Sequence, residues 1–401
     1  MLSEVPEGWS FTAFDEAAKL QSGFPFKSAS FSDDKTVGYP LIRIRDLLKQ
    51  DPSKFVNEEV LPEFIISKGD VLIGMDGEFN CVEWQTRDAA LNQRVLKVME
   101  TNLSHRKFLL YLLQPLLTEL EKSISGTTVK HLSTRDLRRL DLLLPPLPEQ
   151  KRIAEILSSV DESIQATQSV IDQAEGVKRG LMEDLLTGGL GSEAIARGEV
   201  PDGWHEFRLE YLSHFITKGA TPTTYGFGWE QSGIPFFRSE CVSENGFIES
   251  GMAFISEKAH AKLSRSIVKA NDLLISITGN VGRVAIVPKC FYEANINQHI
   301  ARVRINSEEV DTAFVYQVLS SHFQRQKFAS IVTGQAYPQL SLRQIRETAL
   351  ISPPLPEQKR IAEILSSVDE FIQSQKQIID QYQVTKKGLM DDLLTGKVRT
   401  V

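Results

Sequence analysis

The side chains in this sequence that could do chemistry are cations and amides rather than nucleophiles or metal ligands. Arg43, Arg45, Lys130, His131, Arg135, Arg138 and Arg139 fall in loops and at segment edges, and Lys218, Arg238, His299, Arg343 and Arg346 do so further on. Such groups suit phosphate oxygens. Gln93, Gln298, Gln335, Tyr337 and Gln339 stand among them and carry the donors and acceptors that base readout uses. A single Arg or Gln of this kind is ordinarily a solvated side chain. What sets this group apart is that Gln93 and Gln298, Arg43 and Arg238, and Arg135 and Arg343 recur at equivalent places in a repeated chain. Duplication also preserves structural residues, so recurrence alone does not assign a function.

Motifs for catalysis are missing. The chain has no GxxxxGK[ST] loop, and Gly279-Asn-Val-Gly282 lacks the spacing of a dinucleotide site. Leu144-Pro-Pro-Leu147 and Ser352-Pro-Pro-Leu355 lack the Asn or Asp and the aromatic of an amino-methyltransferase site, and read instead as helix entries. Glu149-Gln-Lys151 and Glu357-Gln-Lys359 have the spelling of a nuclease ExK, but they open helices rather than lie on a strand. The seven histidines form no HxH or HxxxH pair. The three cysteines, Cys81, Cys241 and Cys290, show no CxxC, so neither a zinc site nor a disulfide framework is indicated.

The elements that must position the cations follow from an internal repeat. PPLPEQKRIAEILSSVDE runs from Pro145 to Glu162 and returns letter for letter from Pro353 to Glu370. The similarity continues at a constant offset of 208 to DLLTG, closing at Gly188 and Gly396. Proline then glutamate at the start and glycine at the stop predict two long helices. Their apolar period of about 3.5 is that of a coiled-coil seam: Ile153, Leu157, Val160, Ile164, Ile171, Ala174, Leu181 and Leu185, then Ile361, Leu365, Val368, Ile372, Ile379, Tyr382, Leu389 and Leu393.

Fainter echoes extend outside the helices. Val5 to Trp9 is answered by Val200 to Trp204, and Gly38 to Arg43 by Gly233 to Arg238, both at an offset of 195. Gly69 to Gly74 matches Asn271 to Ser276 in type, Leu91 to Arg94 matches Ile296 to His299, and Gly126 to Arg135 aligns with Gly334 to Arg343. The growth of the offset from 195 to 208 places about 13 extra residues in the second copy. Strands are predicted at Tyr39 to Arg45, Val71 to Gly74, Arg94 to Val98 and Leu140 to Leu144, and at Ile234 to Arg238, Leu273 to Ile277, Ile300 to Ile305 and Ala349 to Ile351. Helical stretches follow near His105 to Ser123 and Asp311 to Ser330.

The expected fold is α+β: two globular heads, residues 1–144 and 200–352, with helices over 145–188 and 353–396, a linker at 189–199 and a tail at 397–401. A helix from Glu149 to Thr187 is about 58 Å long, whereas the linker reaches at most about 40 Å. Antiparallel pairing of the helices, with a head at each end, is therefore expected, and gives a pseudo-twofold molecule.

Composition is that of an ordinary globular chain, 41% hydrophobic and 24% charged. The net charge of −7 sits mostly on the helices: Glu149 to Thr187 holds eight acids and four bases, Glu357 to Thr395 seven and five. The heads are left near neutral and free to present a basic face, while the acidic helices suit protein partners better than DNA. With no signal peptide and no apolar run long enough to span a bilayer, a cytoplasmic protein is expected.

The duplicated LPPLPEQKRIAEIL…LLTG helices, each preceded by a GxPxxR element, a GDVLI-type strand, an NQ(R/H) turn and a GTTVKHLS-type loop, resemble the specificity subunit of type I restriction–modification systems. The resemblance covers nearly the whole chain. It implies two target-recognition domains, each reading one half of a bipartite site in double-stranded DNA. It also implies two methyltransferase (modification) subunits docked on helices and heads, joined by motor-nuclease (restriction) subunits. S-adenosylmethionine, ATP and magnesium would belong to those partners, with none in this chain. Carried onto this sequence, the loops Gly126 to Leu132 and Gly334 to Leu340 face DNA, which adds Thr127 and Thr128, and the NQ(R/H) turn adds Arg94. Other readings are a coiled-coil adaptor whose heads bind proteins, and a self-contained modification enzyme. Salt-dependent DNA binding separates the first from a DNA reader; bound methyl donor would support the second.

Overall fold

In the computed structural model, residues 5–124, 130–213, 215–334 and 338–400 are described. The chain divides into two compact units, Met1–Gln168 with Gln377–Val401, and Ser169–Lys376. Each unit therefore holds one head and a part of each long helix.

The first head is built on an antiparallel sheet in the order Ala18–Ser22, Val95–Glu100, Val71–Gly74, Cys81–Glu83. Val71–Gly74 is buried throughout because both faces are covered, which is why it reads as an unbroken apolar run. Val71 and Ile73 pack in one cluster with Phe108, Leu109 and Leu113 of the helix Arg106–Ser123. Leu72 enters the opposite cluster with Ile42, Ile66, Trp84 and Leu91. That cluster involves a second sheet, of five short strands, where Tyr39–Ile42 runs parallel to Ala89–Leu91 in the register Leu41 to Ala90 and Ile42 to Leu91.

The second head repeats this plan. Its sheet runs Ile216–Lys218, Ile300–Val303, Leu273–Ser276, Val284–Ile286. Leu273 and Ile275 share a cluster with Val315, Leu319 and Phe328, and Leu274 joins the opposite one with Phe237 and Ile296. The parallel pair recurs, with Phe236 opposite Asn295 and Phe237 opposite Ile296.

Two sequence expectations are corrected. The strand from Tyr39 stops at Ile42 instead of continuing to Arg45, because the Asp46 carboxylate accepts from the Arg43 backbone N–H at 3.1 Å and turns the chain into the helix Ile44–Leu47. The helical stretch after Asp311 is two helices, Thr312–Ser320 and His322–Ile331. Ser321 lies between them with extended backbone and caps the second through the Gln324 N–H at 3.2 Å.

The long helices span Leu147–Leu185 and Leu355–Leu393. All of the sixteen seam residues are buried or half-buried. Within the second unit Glu175 pairs with Lys376 at 3.2 Å and Lys178 with Asp369 at 2.5 Å, so one segment descends as the other climbs and the pairing is antiparallel. In the first unit Asp161 pairs with Lys386 at 2.6 Å. The stretch between the first long helix and the second head contains a short helix, Ser192–Ala196.

One residue of the verbatim repeat makes the same buried contacts in both units. Gln150 is fully buried; its Oε1 accepts from the His105 N–H at 2.8 Å, and its Nε2 donates to the carbonyls of Leu103 and Pro145, each at 2.9 Å. Gln358 does the same in the second unit, with Asp311 N–H at 2.8 Å, Glu309 carbonyl at 3.0 Å and Pro353 carbonyl at 2.8 Å. Each glutamine thus ties the start of a long helix to the loop leading into its head's helix. Among the described residues, no helix is long and apolar enough to cross a membrane.

Candidate nucleic-acid interface

Both heads gather some of the predicted residues at one backbone junction just beyond the central strand: Arg94, Lys130 and His131 in the first, His299 and Gln339 in the second. In the first head, the Met75 N–H donates to the Arg94 carbonyl at 3.1 Å and the Met75 carbonyl accepts from Leu132 at 2.7 Å. In the second, Ile277 makes the same pair of bonds, to the His299 carbonyl at 2.9 Å and from Leu340 at 2.9 Å. The NQ(R/H) turn and the end of the GTTVKHLS-type loop are thereby both hydrogen-bonded to one residue at the strand end.

The side chains on this shared frame differ. In the first head Asp76 bridges to His131, whose Nδ1 lies 2.5 Å from the carboxylate, and Arg94 approaches the same carboxylate at 3.6 Å. Gly77 donates to the Lys130 carbonyl at 2.9 Å with φ +76°, a left-handed conformation that favours glycine. Lys130 itself is drawn 3.4 Å from Glu121. Next to the junction is an open groove of about 600 Å³, lined by the cations Arg43, Arg45, Lys49 and Arg94, by Leu48, Asn80 and Asn92, and by the acids Asp76 and Glu78. Arg45 and Lys49 are exposed and have no ion-pair partner among the described residues, so their charge is available to an anionic ligand. Gln93 projects from the turn, exposed, with its backbone N–H held by Phe24 at 3.0 Å.

In the second head Thr278 stands where Asp76 does and bridges to Gln339, whose backbone also pairs with Thr333. Thr278 Oγ1 lies 2.6 Å from His299 Nδ1, and Gln298 Nε2 lies 2.8 Å from His299 Nε2. Both ring nitrogens of His299 are therefore engaged inside the head, one by Thr278 and one by Gln298. The Thr221 hydroxyl donates to Gln298 Oε1. Lys218 is exposed at the end of its strand.

The two arginines at the recurring Arg43 and Arg238 positions are engaged within the protein. The Arg43 guanidinium bonds to the buried Asp46 at 2.9 Å and to Ser53 at 2.8 Å. Its counterpart Arg238 donates to the Gly251 carbonyl at 2.5 Å. Arg343 is exposed and pairs with Glu347 at 2.7 Å. Arg135 is exposed on the short helix Thr134–Arg138, whose capping box joins Ser133 and Asp136. Hydrogen bonds from Ser133 hold the Asp136 carboxyl below its ordinary range. Thr127, Thr128, Gln335 and Tyr337 lie outside the described residues.

Sequence reasoning missed Leu48, Lys49, Asn80 and Asn92. Lys49 carries a signal, since it follows Arg45 at helical spacing; the asparagines read as turn formers, and only the folded groove places them together.

The family described as Type I restriction modification DNA specificity domain matches residues 6–175 and 201–383. The chain is 28% identical over 418 residues to the EcoBI specificity subunit of a type I restriction enzyme from Escherichia coli, covering 99% of this chain and 87% of that protein. It is 26% identical to the MjaVIII specificity subunit of Methanocaldococcus jannaschii, covering 98% and 94%. Among solved structures, the S subunit of a type I restriction-modification system from M. genitalium matches with a TM-score of 0.65 at 15% identity, covering 98% of both chains. A chain from a structural study of complex assembly and conformational transition in the type I R-M system matches with a TM-score of 0.52 at 17% identity, over 98% and 100%. At these identities the structural likeness is one of fold.

Proposed function

The chain belongs to the family of type I restriction modification DNA specificity domains, and from that premise we propose that it is a DNA-recognition subunit whose two heads read the two halves of a bipartite duplex target. It carries no catalysis of its own. Methyltransferase subunits dock on it, restriction subunits join that assembly, and S-adenosylmethionine, ATP and magnesium are bound by those partners.

The observation that carries this reading is the contrast between frame and surface. The Met75 and Ile277 junctions have the same backbone bonds, and Gln150 and Gln358 the same clamps, yet Asp76, Arg94 and His131 in one head are replaced by Thr278, His299 and Gln339 in the other. Two copies of one scaffold with different donors and acceptors at equivalent positions suit two different base sequences. Proteins of this kind read a target through side chains and fix their register through phosphates, and the groove with Arg45 and Lys49 supplies the second component in the first head.

Methylation mapping by long-read sequencing of the host, with and without this gene, tests the proposal. A methylated motif of two specific halves around a nonspecific spacer should vanish when the gene is deleted. An unchanged methylation pattern would overturn the proposal.

A further inference from the structure

The groove of the first head, lined by Asp76 and Glu78 as well as by cations, contains an exposed leucine that phosphate binding does not explain. The helix Ile44–Leu47 buries Leu47 and half-buries Ile44, turning Arg45, Leu48 and Lys49 outward. Leu48 is 64% exposed and lines the groove together with Arg45, Lys49, Asn80, Asn92 and Arg94. An exposed turn position just after a short helix, flanked in sequence by two cations, is one that polar residues commonly occupy. At the offset that relates Arg43 to Arg238, the second head has Ser243 in this place and glutamates at the places of Arg45 and Lys49, so the arrangement belongs to the first head alone.

Resting on the reading that this head binds duplex DNA, we propose that Leu48 reads a thymine through its C5 methyl group. Arg45 and Lys49, one on either side of it in sequence, would lie on phosphates and bring the groove against the duplex. An isobutyl group carried into a groove with them gains free energy only by meeting another apolar group. In the major groove the one apolar group that base pairs present is the thymine methyl; the minor groove presents none. The proposal therefore also assigns the first head to the major groove, and requires a thymine, on one strand or the other, in its half-site.

The test replaces each thymine of the mapped target by deoxyuridine, one at a time, which removes the methyl and keeps every hydrogen-bonding group. Binding is measured with the chain assembled with its methyltransferase partner. At one position in the half-site of the first head, the substitution should weaken wild-type binding about fourfold, the effect of one buried methyl group. Leu48→Ala, an exposed substitution that leaves the buried Leu47 in place, should bind the thymine and deoxyuridine targets equally at that position and keep the wild-type response elsewhere. Indifference of the wild type to every substitution in that half-site overturns the proposal, as does a methyl preference that survives in Leu48→Ala. Uniform weakening by Leu48→Ala on all targets without any methyl dependence would make Leu48 a wedge between base steps, and overturns it too. Failure of the wild-type assembly to bind the unmodified target would instead refute the DNA-binding reading beneath it.

Discussion

Replacing Gln150 by Leu tests how the helix start is joined to the head. The substitution keeps the side chain's approximate volume but removes one acceptor and the donors of one amide. Three backbone groups then lose a partner: the His105 N–H, bonded at 2.8 Å, and the carbonyls of Leu103 and Pro145, each at 2.9 Å. A buried polar group left unpaired costs about 1–3 kcal/mol, and new apolar contacts of Leu offset part of the total, so local stability should fall by at least about 2 kcal/mol. That corresponds to a roughly thirtyfold loss of amide protection. The assay is native-state hydrogen exchange read at His105, with Asp311 as an internal control because its N–H is held by Gln358 in the other unit. Gln150→Leu should accelerate His105 and leave Asp311 alone, and Gln358→Leu should do the reverse. Equal acceleration of both amides by either variant, or of neither, would refute the idea that each glutamine clamps its own head.

Two further outcomes follow from the ion pairs and the groove. The buried Glu149 carboxyl is held below its ordinary value by hydrogen bonds from Arg399, against the opposing effect of burial, with the Thr400 N–H and the Trp9 indole adding to the same direction. A depressed carboxyl contributes stability that is present above its unfolded value near pH 4.3 and lost as pH falls through its folded value. The Trp9 indole N–H resonance should therefore shift toward a free-indole position in acid, and a Glu149→Gln variant that lost Trp9 order over the same acid range would contradict this. On the groove, Arg45→Ala with Lys49→Ala should reduce the slope of log affinity against log salt by about two units if both meet phosphates; an unchanged slope would remove them from the interface.

The parts of the fold governed by periodicity were legible in the sequence. The sixteen seam positions, the helix limits near Gly188 and Gly396 and the doubly covered strand Val71–Gly74 all follow from apolar spacing and punctuation. Glycine at 188 and 396 is required for a second reason that spacing does not reveal. Each has positive φ, and a Cβ there would lie 2.7 Å from Pro201 or 2.5 Å from Pro6. What was hidden depended on contacts distant in sequence. The repeated Glu-Gln after proline reads as an ordinary helix opening, yet Gln150 reaches back to Leu103 and His105, residues no local pattern connects to it. The recurrence of Arg43 and Arg238 marks paired cations, but one holds Asp46 and the other the Gly251 carbonyl, so duplication has kept them as local braces. Conversely, the groove with Lys49, Asn80 and Asn92 is assembled from three separate turns, and its composition emerges only when the sheet brings them together.

The proposed function requires each head to read one half of the target independently of the other. Exchange of residues 1–144 for the first head of a relative with a different target, followed by genome-wide methylation mapping of a host carrying the chimera, tests it most directly. One half of the methylated motif should change to that of the donor while the other half, read by residues 200–352, stays as it was. A simultaneous change in both halves would contradict the account.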